Sequence, residues 1–338
     1  MKTDLAVIGQ GAVTPAGVGI EALLHRKPAP VDTAPLGQPD ETWPVLRVNL
    51  HDPALARWQK EARLRRASPI TYFLVEAAGQ ALAGITPTDR AQTGLITTFS
   101  AGCLAYSRRF FEDIVAKGIA SPALFPETVF NSPASHVASV LGLNGAAYAL
   151  VGDETAWIAG LKTAAIWLHQ KRVKQVLILG AEEFDPIVLD AYRSARWLRR
   201  EKSSPGFLTS EGAAGILVRR AEAPDTHVIT TARDGLLYRT KKEASAATTR
   251  LFGNVAPSLP CYPTAQHNWL GPLEKKATEK HPPLAEKPLP YLGEAFTASA
   301  AWHTIRALHQ LNAQLPQLLL PVWGLNHQLG SLELEYRK

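Results

Sequence analysis

Apolar runs of four to six residues recur along this chain, separated by longer stretches in which apolar positions return every three or four residues. Leu5–Ile8, Thr93–Thr98, Tyr148–Val151 and Val176–Gly180 read as buried strands. Between them, Ile70–Gly84 places Tyr72, Leu74, Val75, Ala78 and Leu82 at helical spacing. Helices are also predicted over Leu104–Lys117, Ser135–Leu141 and Thr155–Gln170. Continuous apolar strands alternating with helices imply a mainly parallel sheet covered on both faces. Ser210–Val218 reads as a glycine-rich turn entering another strand, and the first half closes near residue 222.

A shorter second half follows. His227–Thr231 begins it as a strand, Asp234–Arg250 supplies a turn and helix, and Thr297–Leu311 a further helix. Leu318–Pro321 and Ser331–Glu335 complete it as strands. Between Ala256 and Pro290 the chain is proline-rich with little periodicity, a pattern associated with binding loops inside compact domains. Residues 27–45, also rich in proline and polar groups, read as a surface loop.

The start of the chain tests a nucleotide-binding reading and fails it. Leu5–Ile8 runs into Gly9-Gln-Gly11, but Thr14 stands where a third glycine belongs and Pro15 follows. A tight connection from strand to helix is the expectation for residues 9–17.

At 338 residues with 46% apolar content, the chain can bury a large core. Thirty-six Lys and Arg against thirty Asp and Glu leave a net charge of +6, which favours an acidic partner without marking a nucleic-acid binder. The basic clusters Arg63-Leu-Arg-Arg66 and Lys171-Arg-Val-Lys174 read as solvated faces. Two distant cysteines, Cys103 and Cys261, supply neither a disulfide framework nor a zinc motif. No signal segment and no apolar run of about 18 residues occurs, so a cytoplasmic protein without a membrane span is expected. No metal and no cofactor is called for.

An ordered series of short motifs gives a more specific reading. Gly11-Ala-Val-Thr-Pro-x-Gly17 is followed by Phe125-Pro-Glu-Thr-Val-Phe-Asn131, then by Leu141-Gly-Leu-x-Gly145. Gly180-Ala-Glu-Glu183 and Ser210-Glu-Gly-Ala-Ala-Gly215 come next. In this order, over almost its full length, the chain resembles the β-ketoacyl-acyl-carrier-protein synthases of the thiolase fold. The resemblance implies a five-layered αβαβα architecture from two βαβαβαββ halves, residues 1–222 and a shortened 223–338. It also implies a dimer paired through the strand Tyr148, Ala149, Leu150 and Val151.

In that family a cysteine thiolate at a helix amino terminus takes the acyl chain, two histidines assist decarboxylation and stabilise the developing negative charge, and a lysine supports them. In this sequence the cysteine position falls on Glu154. The first histidine is matched by His267, with Trp269 in place of a small neighbour; the second falls on Glu294 and the lysine on Leu289. The gate loop of the family corresponds to Trp323-Gly-Leu-Asn-His327. A carboxylate cannot hold an acyl group as a thioester does, so a catalytic set is not expected intact.

Within the family, degenerate subunits pair with active ones. The expected role is therefore that of a chain-length-factor-like subunit, a partner of an active ketosynthase and, through that complex, of acyl carrier protein. The setting would be polyketide, aryl-polyene or fatty-acid-type biosynthesis. Leu104, Tyr106, Phe110 and Phe111 lie on the helix that lines the tunnel end in the family; as a stripe they also fit ordinary core packing. Glu154 fits equally a helix cap or an arginine partner. The alternative function is a malonyl-carrier-protein decarboxylase that primes synthesis. An independent hydrolase lacks any nucleophile elbow.

Overall fold

The first strand is longer than its apolar run. In the computed structural model, which describes the chain apart from residues 26, 27, 37, 201–205, 225, 254, 266–269, 283, 285–289 and 338, β1 spans Lys2–Thr14. The turn expected from residue 9 is therefore continued strand. Gly9 and Gly11 serve helix packing instead, since a Cβ at either would overlap the carbonyl oxygen of Ala81 or Ala77. The chain turns only at Pro15 and Ala16, entering the two-residue β2 (Gly17–Val18) and then α1 (Ile20–Leu24).

A second departure lies in residues 27–45, where β3 (Val31–Leu36) and β4 (Gln38–Leu46) form an antiparallel hairpin. The hairpin buries Ala34, Val45 and Leu46, and Pro35 is accommodated because β3 is an edge strand. Proline and polar residues disguise such an edge in the sequence.

Proline at the first helical turn and side-chain caps set several of the following helices. α2 (Pro53–Gln59) is capped by Asp52, α4 (Pro87–Ala91) by Thr86, and the long buried α3 (Pro69–Ala81) starts on proline. Then come β5 (Thr93–Phe99), α5 (Leu104–Lys117), α6 (Ser132–Leu141), β6 (Ala147–Val151) and α7 (Ala156–His169). β7 (Gln175–Glu182), α8 (Pro186–Ser194), β8 (Thr209–Ser210) and β9 (Gly212–Arg220) complete the first half. The second half contains β10 (His227–Leu237), α9 (Lys241–Phe252), α10 (Leu270–Ala277), α11 (Thr297–Leu308), β11 (Gln317–Gly324) and β12 (Gln328–Tyr336).

The sheet order is β11-β12-β10-β1-β9-β7-β5-β6. In the first half β5 runs parallel to β6 and β7, while β9 is antiparallel to β7 and β1. The second half repeats part of this plan. β11, β12 and β10 take the places of β7, β9 and β1, with the same antiparallel relations. Counterparts of β5 and β6 are reduced to remnants. Residue 261 bridges Leu319 in parallel, as β5 flanks β7, and Cys261 in turn bonds Pro282 O and Leu284 N. Proline at 257, 260, 263 and 282 removes the N–H donors that longer strands would need. The aperiodic segment is thus the contracted middle of a repeat.

The two halves join through β1 and β10, where Leu5 pairs with Ile229 and Ala6 with Val228. α7 and α11 pack against strands of both halves, and Trp157 Nε1 donates to Thr304 Oγ1 at 2.9 Å between these helices. α3 and α6 cover the outer face of the first half, and α9 that of the second. The result is a five-layered thiolase-like αβαβα fold with a shortened second half. Among the described residues no helix is long and apolar enough to cross a membrane.

Candidate functional site

The site forms where the amino terminus of α7 faces the loop between β11 and β12. β6 ends at Val151, and Gly152, Asp153 and Glu154 then carry the chain into the helix. Asp153 is fully buried. Its Oδ1 accepts from Thr155 N at 3.0 Å and Thr155 Oγ1 at 2.6 Å, and its Oδ2 accepts from Asn326 N at 3.2 Å. Gly324 is required beside it, because any Cβ there would collide with the Asp153 carboxylate.

Glu154 is 4% exposed, and its Oε2 accepts from Leu325 N at 3.0 Å. Neither local reading of this residue holds: Asp153, not Glu154, accepts from the first turn of α7, and no arginine pairs with Glu154 among the described residues. Burial first, then the Glu294 and Asp153 carboxylates, hold its carboxyl well above the usual range.

Glu294 and α11 form the opposite wall. Glu294 Oε1 accepts from Phe296 N at 2.8 Å, and Phe296 takes a left-handed φ of 47° immediately before α11. Ser299 and His303, four residues apart, line the same wall. His303 is buried, which pushes its pKa down to about 4, so it is neutral. The cavity enclosed by Glu154, Glu294, Ser299, His303, Thr264 and Trp323 measures about 20 Å³, room for roughly one water.

A third carboxylate ties together residues of the pocket wall from behind. Glu274 on α10 accepts from Trp323 Nε1 at 2.9 Å, Thr264 N at 2.9 Å and Ala265 N at 3.2 Å. Trp323, Leu325 and Asn326 are thus each tied to a buried carboxyl, and the Tyr238 and His327 rings stack at 5.3 Å just beyond.

Of the sequence-derived candidates, Glu154 and Glu294 come together in this pocket. His267 and Leu289, like Trp269, lie outside the described residues. His303 and Glu274 were missed. The Ser299–His303 spacing on one helix face was a signal for the former; Glu274, on a charged surface-like segment, offered none.

Leu104, Tyr106, Phe110 and Phe111 lie on α5 and do not line this cavity. None of the four is fully buried: Leu104, Tyr106 and Phe110 are half-buried, Phe111 is 63% exposed, and Phe110 meets Phe111 edge-to-face and Phe125 at a tilt. β6 lies at the sheet edge, with Tyr148 50% and Val151 54% exposed and Ala149 and Leu150 half-buried between them.

The acidic motifs have structural roles. Glu182 accepts from Ser100 N and Ala101 N, Glu183 from Ile70 N and Ala105 N, and Glu211 from Val48 N and Phe184 N. They hold loops at strand ends. Neither cysteine lines the cavity, and burial pushes the Cys103 thiol up to about 12, a poor nucleophile. No cluster of three or more metal-ligating side chains occurs among the described residues.

The family profile for the β-ketoacyl synthase N-terminal domain matches residues 42–223. No curated protein sequence matches the chain. Among solved structures, the ishigamide ketosynthase/chain length factor superposes with a TM-score of 0.84 at 18% identity, covering 99% of this chain and 100% of that one. A β-ketoacyl synthase from Burkholderia phymatum STM815 gives 0.80 at 14% identity over 100% of both chains. A type II polyketide synthase structure, an acyl-carrier protein in complex with its ketosynthase bound to the hexaketide, gives 0.76 at 16% over 99% of both. These likenesses establish the fold; with the profile covering more than half of its length, the chain belongs to the β-ketoacyl synthase family.

Proposed function

We propose that this chain is a non-condensing, chain-length-factor-like subunit that pairs with an active ketosynthase and shapes its acyl tunnel. One observation carries the reading. In the match to the family, Glu154 takes the place of the nucleophile, and its buried carboxyl accepts from Leu325 N beside a cavity of about 20 Å³. A carboxyl there offers no sulfur on which an acyl thioester could form.

Three further features support it. β6 presents an open edge for pairing. Phe111, Val115, Ile119 and Phe125 leave an apolar surface on and after α5, suited to burial against a partner. The structural relatives include ketosynthase/chain length factor assemblies. In this reading the partner is an active ketosynthase, acyl carrier protein is engaged through the complex, and the products belong to polyketide, aryl-polyene or fatty-acid-type synthesis in the cytoplasm.

Co-expression with a ketosynthase encoded beside it, followed by sizing of the complex and product analysis, tests the proposal. A 1:1 complex whose products change with this subunit is expected. A lone chain that elongates malonyl units unaided would overturn it.

A further inference from the structure

Lys171-Arg-Val-Lys174 is more than a solvated face. α7 ends with Lys171 N bonded to Leu168 O and Arg172 N to Trp167 O, which places Lys171 at a φ of 55°. Glycine fills that left-handed position most cheaply, yet a lysine stands there. Beside it lies a groove of about 520 Å³ into which Lys171, Arg172, Lys174 and Arg220 project, with no carboxylate on its walls. Among the described residues, only Lys174 of these four pairs with an acid, Asp89 at 3.8 Å, and both partners are exposed. One or two cations would satisfy the helix dipole; Lys174 and Arg220 lie outside the helix.

A second groove of about 420 Å³ shares Leu168 and Arg220 with the first and adds Lys2, His169 and the exposed Ile166. Together they follow the amino-terminal ends of β1, β5 and β7. That is the opposite end of α7 from Glu154, about 21 Å away for a helix of 14 residues. The charge therefore serves neither the pocket nor its closure.

We propose that this double groove docks an extended acidic segment of a partner protein. Its combined volume exceeds what one small anion needs, and Lys2, Lys171, Arg172, Lys174 and Arg220 line it against one carboxylate, that of Asp4, which pairs with Arg337. Leu168, Val173 and Ile166 supply apolar contacts between the charges. The proposal is independent of whether the chain condenses acyl units.

The test measures fluorescence anisotropy of a labelled Asp/Glu-rich peptide titrated with the full chain. Arg172→Glu with Arg220→Glu should weaken binding roughly ten-fold while the melting temperature is kept, because two contacting cations become repulsive. Arg65→Glu with Arg66→Glu makes the same change in net charge elsewhere, and should weaken binding less than about two-fold. If the reversal variant does not fold, Arg172→Gln with Arg220→Gln takes its place. Equal losses in the two variant pairs would refute a specific site. So would inorganic polyphosphate or phosphatidylglycerol vesicles binding the groove while the peptide does not.

Discussion

Glu154 Oε2 accepts the backbone N–H of Leu325 across 171 positions of sequence, joining the start of α7 to the loop that follows β11. Glu154 thus fastens one half of the molecule to the other.

Removing that acceptor leaves Leu325 N–H buried without a partner. Glu154→Ala should cost about 1–3 kcal/mol in urea unfolding. Glu154→Gln should cost less than about 1 kcal/mol, because the amide oxygen can still accept from Leu325 N. Equal losses for both variants would mean that the carboxyl acts as an anion.

Glu274 gathers donors from two separate segments, Thr264 with Ala265, and Trp323. Glu274→Ala should destabilise by about 3 kcal/mol, since Thr264 N, Ala265 N and Trp323 Nε1 all lose their acceptor. Trp323 fluorescence should report increased solvent access in the same variant; an unchanged spectrum and unfolding midpoint would remove Glu274 from this role.

His303 predicts an acid limb. Its folded pKa of about 4 lies below the ordinary 6.5, so between these values the unfolded chain binds more protons. Its contribution is intact above pH 6.5 and is lost as pH falls towards 4, by about 3 kcal/mol in all. Subtracting the pH–stability curve of His303→Gln from that of the parent should reveal this slope. A flat difference would contradict a buried neutral imidazole.

Val151→Glu tests the β6 edge. A half-exposed site should tolerate the change within about 0.5 kcal/mol in the isolated chain. Copurification of the ketosynthase should nevertheless fall sharply, read by size-exclusion chromatography, because a buried unpaired carboxylate would face the partner strand. Retained pairing would place the interface elsewhere.

Phe110→Ala tests the tunnel end. Longer products from the co-expressed complex are expected if Phe110 and its neighbours Phe111 and Phe125 stop the growing chain. Unchanged product length with a weakened complex would assign α5 to packing against the partner.

Much of this architecture was written locally. The apolar runs at Thr93–Phe99 and Gln175–Glu182 and the helical spacing of Pro69–Ala81 and Ala156–His169 announce themselves, because burial on both faces leaves no polar position to interrupt them. The same ordered motifs disclosed the family. Local pattern failed where pairing supplied the reason for a residue. Gly9 and Gly11 look like a turn until α3 is laid across them, and the prolines of β3 and β4 hide a hairpin that exists only as an edge. The sequence showed that the second half is short, but which strands had contracted became visible only when Cys261 was found beside β11. The pocket is the extreme case: Glu154, the Glu294–His303 stretch and, behind them, Glu274 come from three separate segments, and no periodicity along the chain records which of them will meet. Composition and spacing specify what each segment buries; only the packed halves decide which buried carboxyl faces which amide, because that choice is made by contacts between residues far apart in sequence.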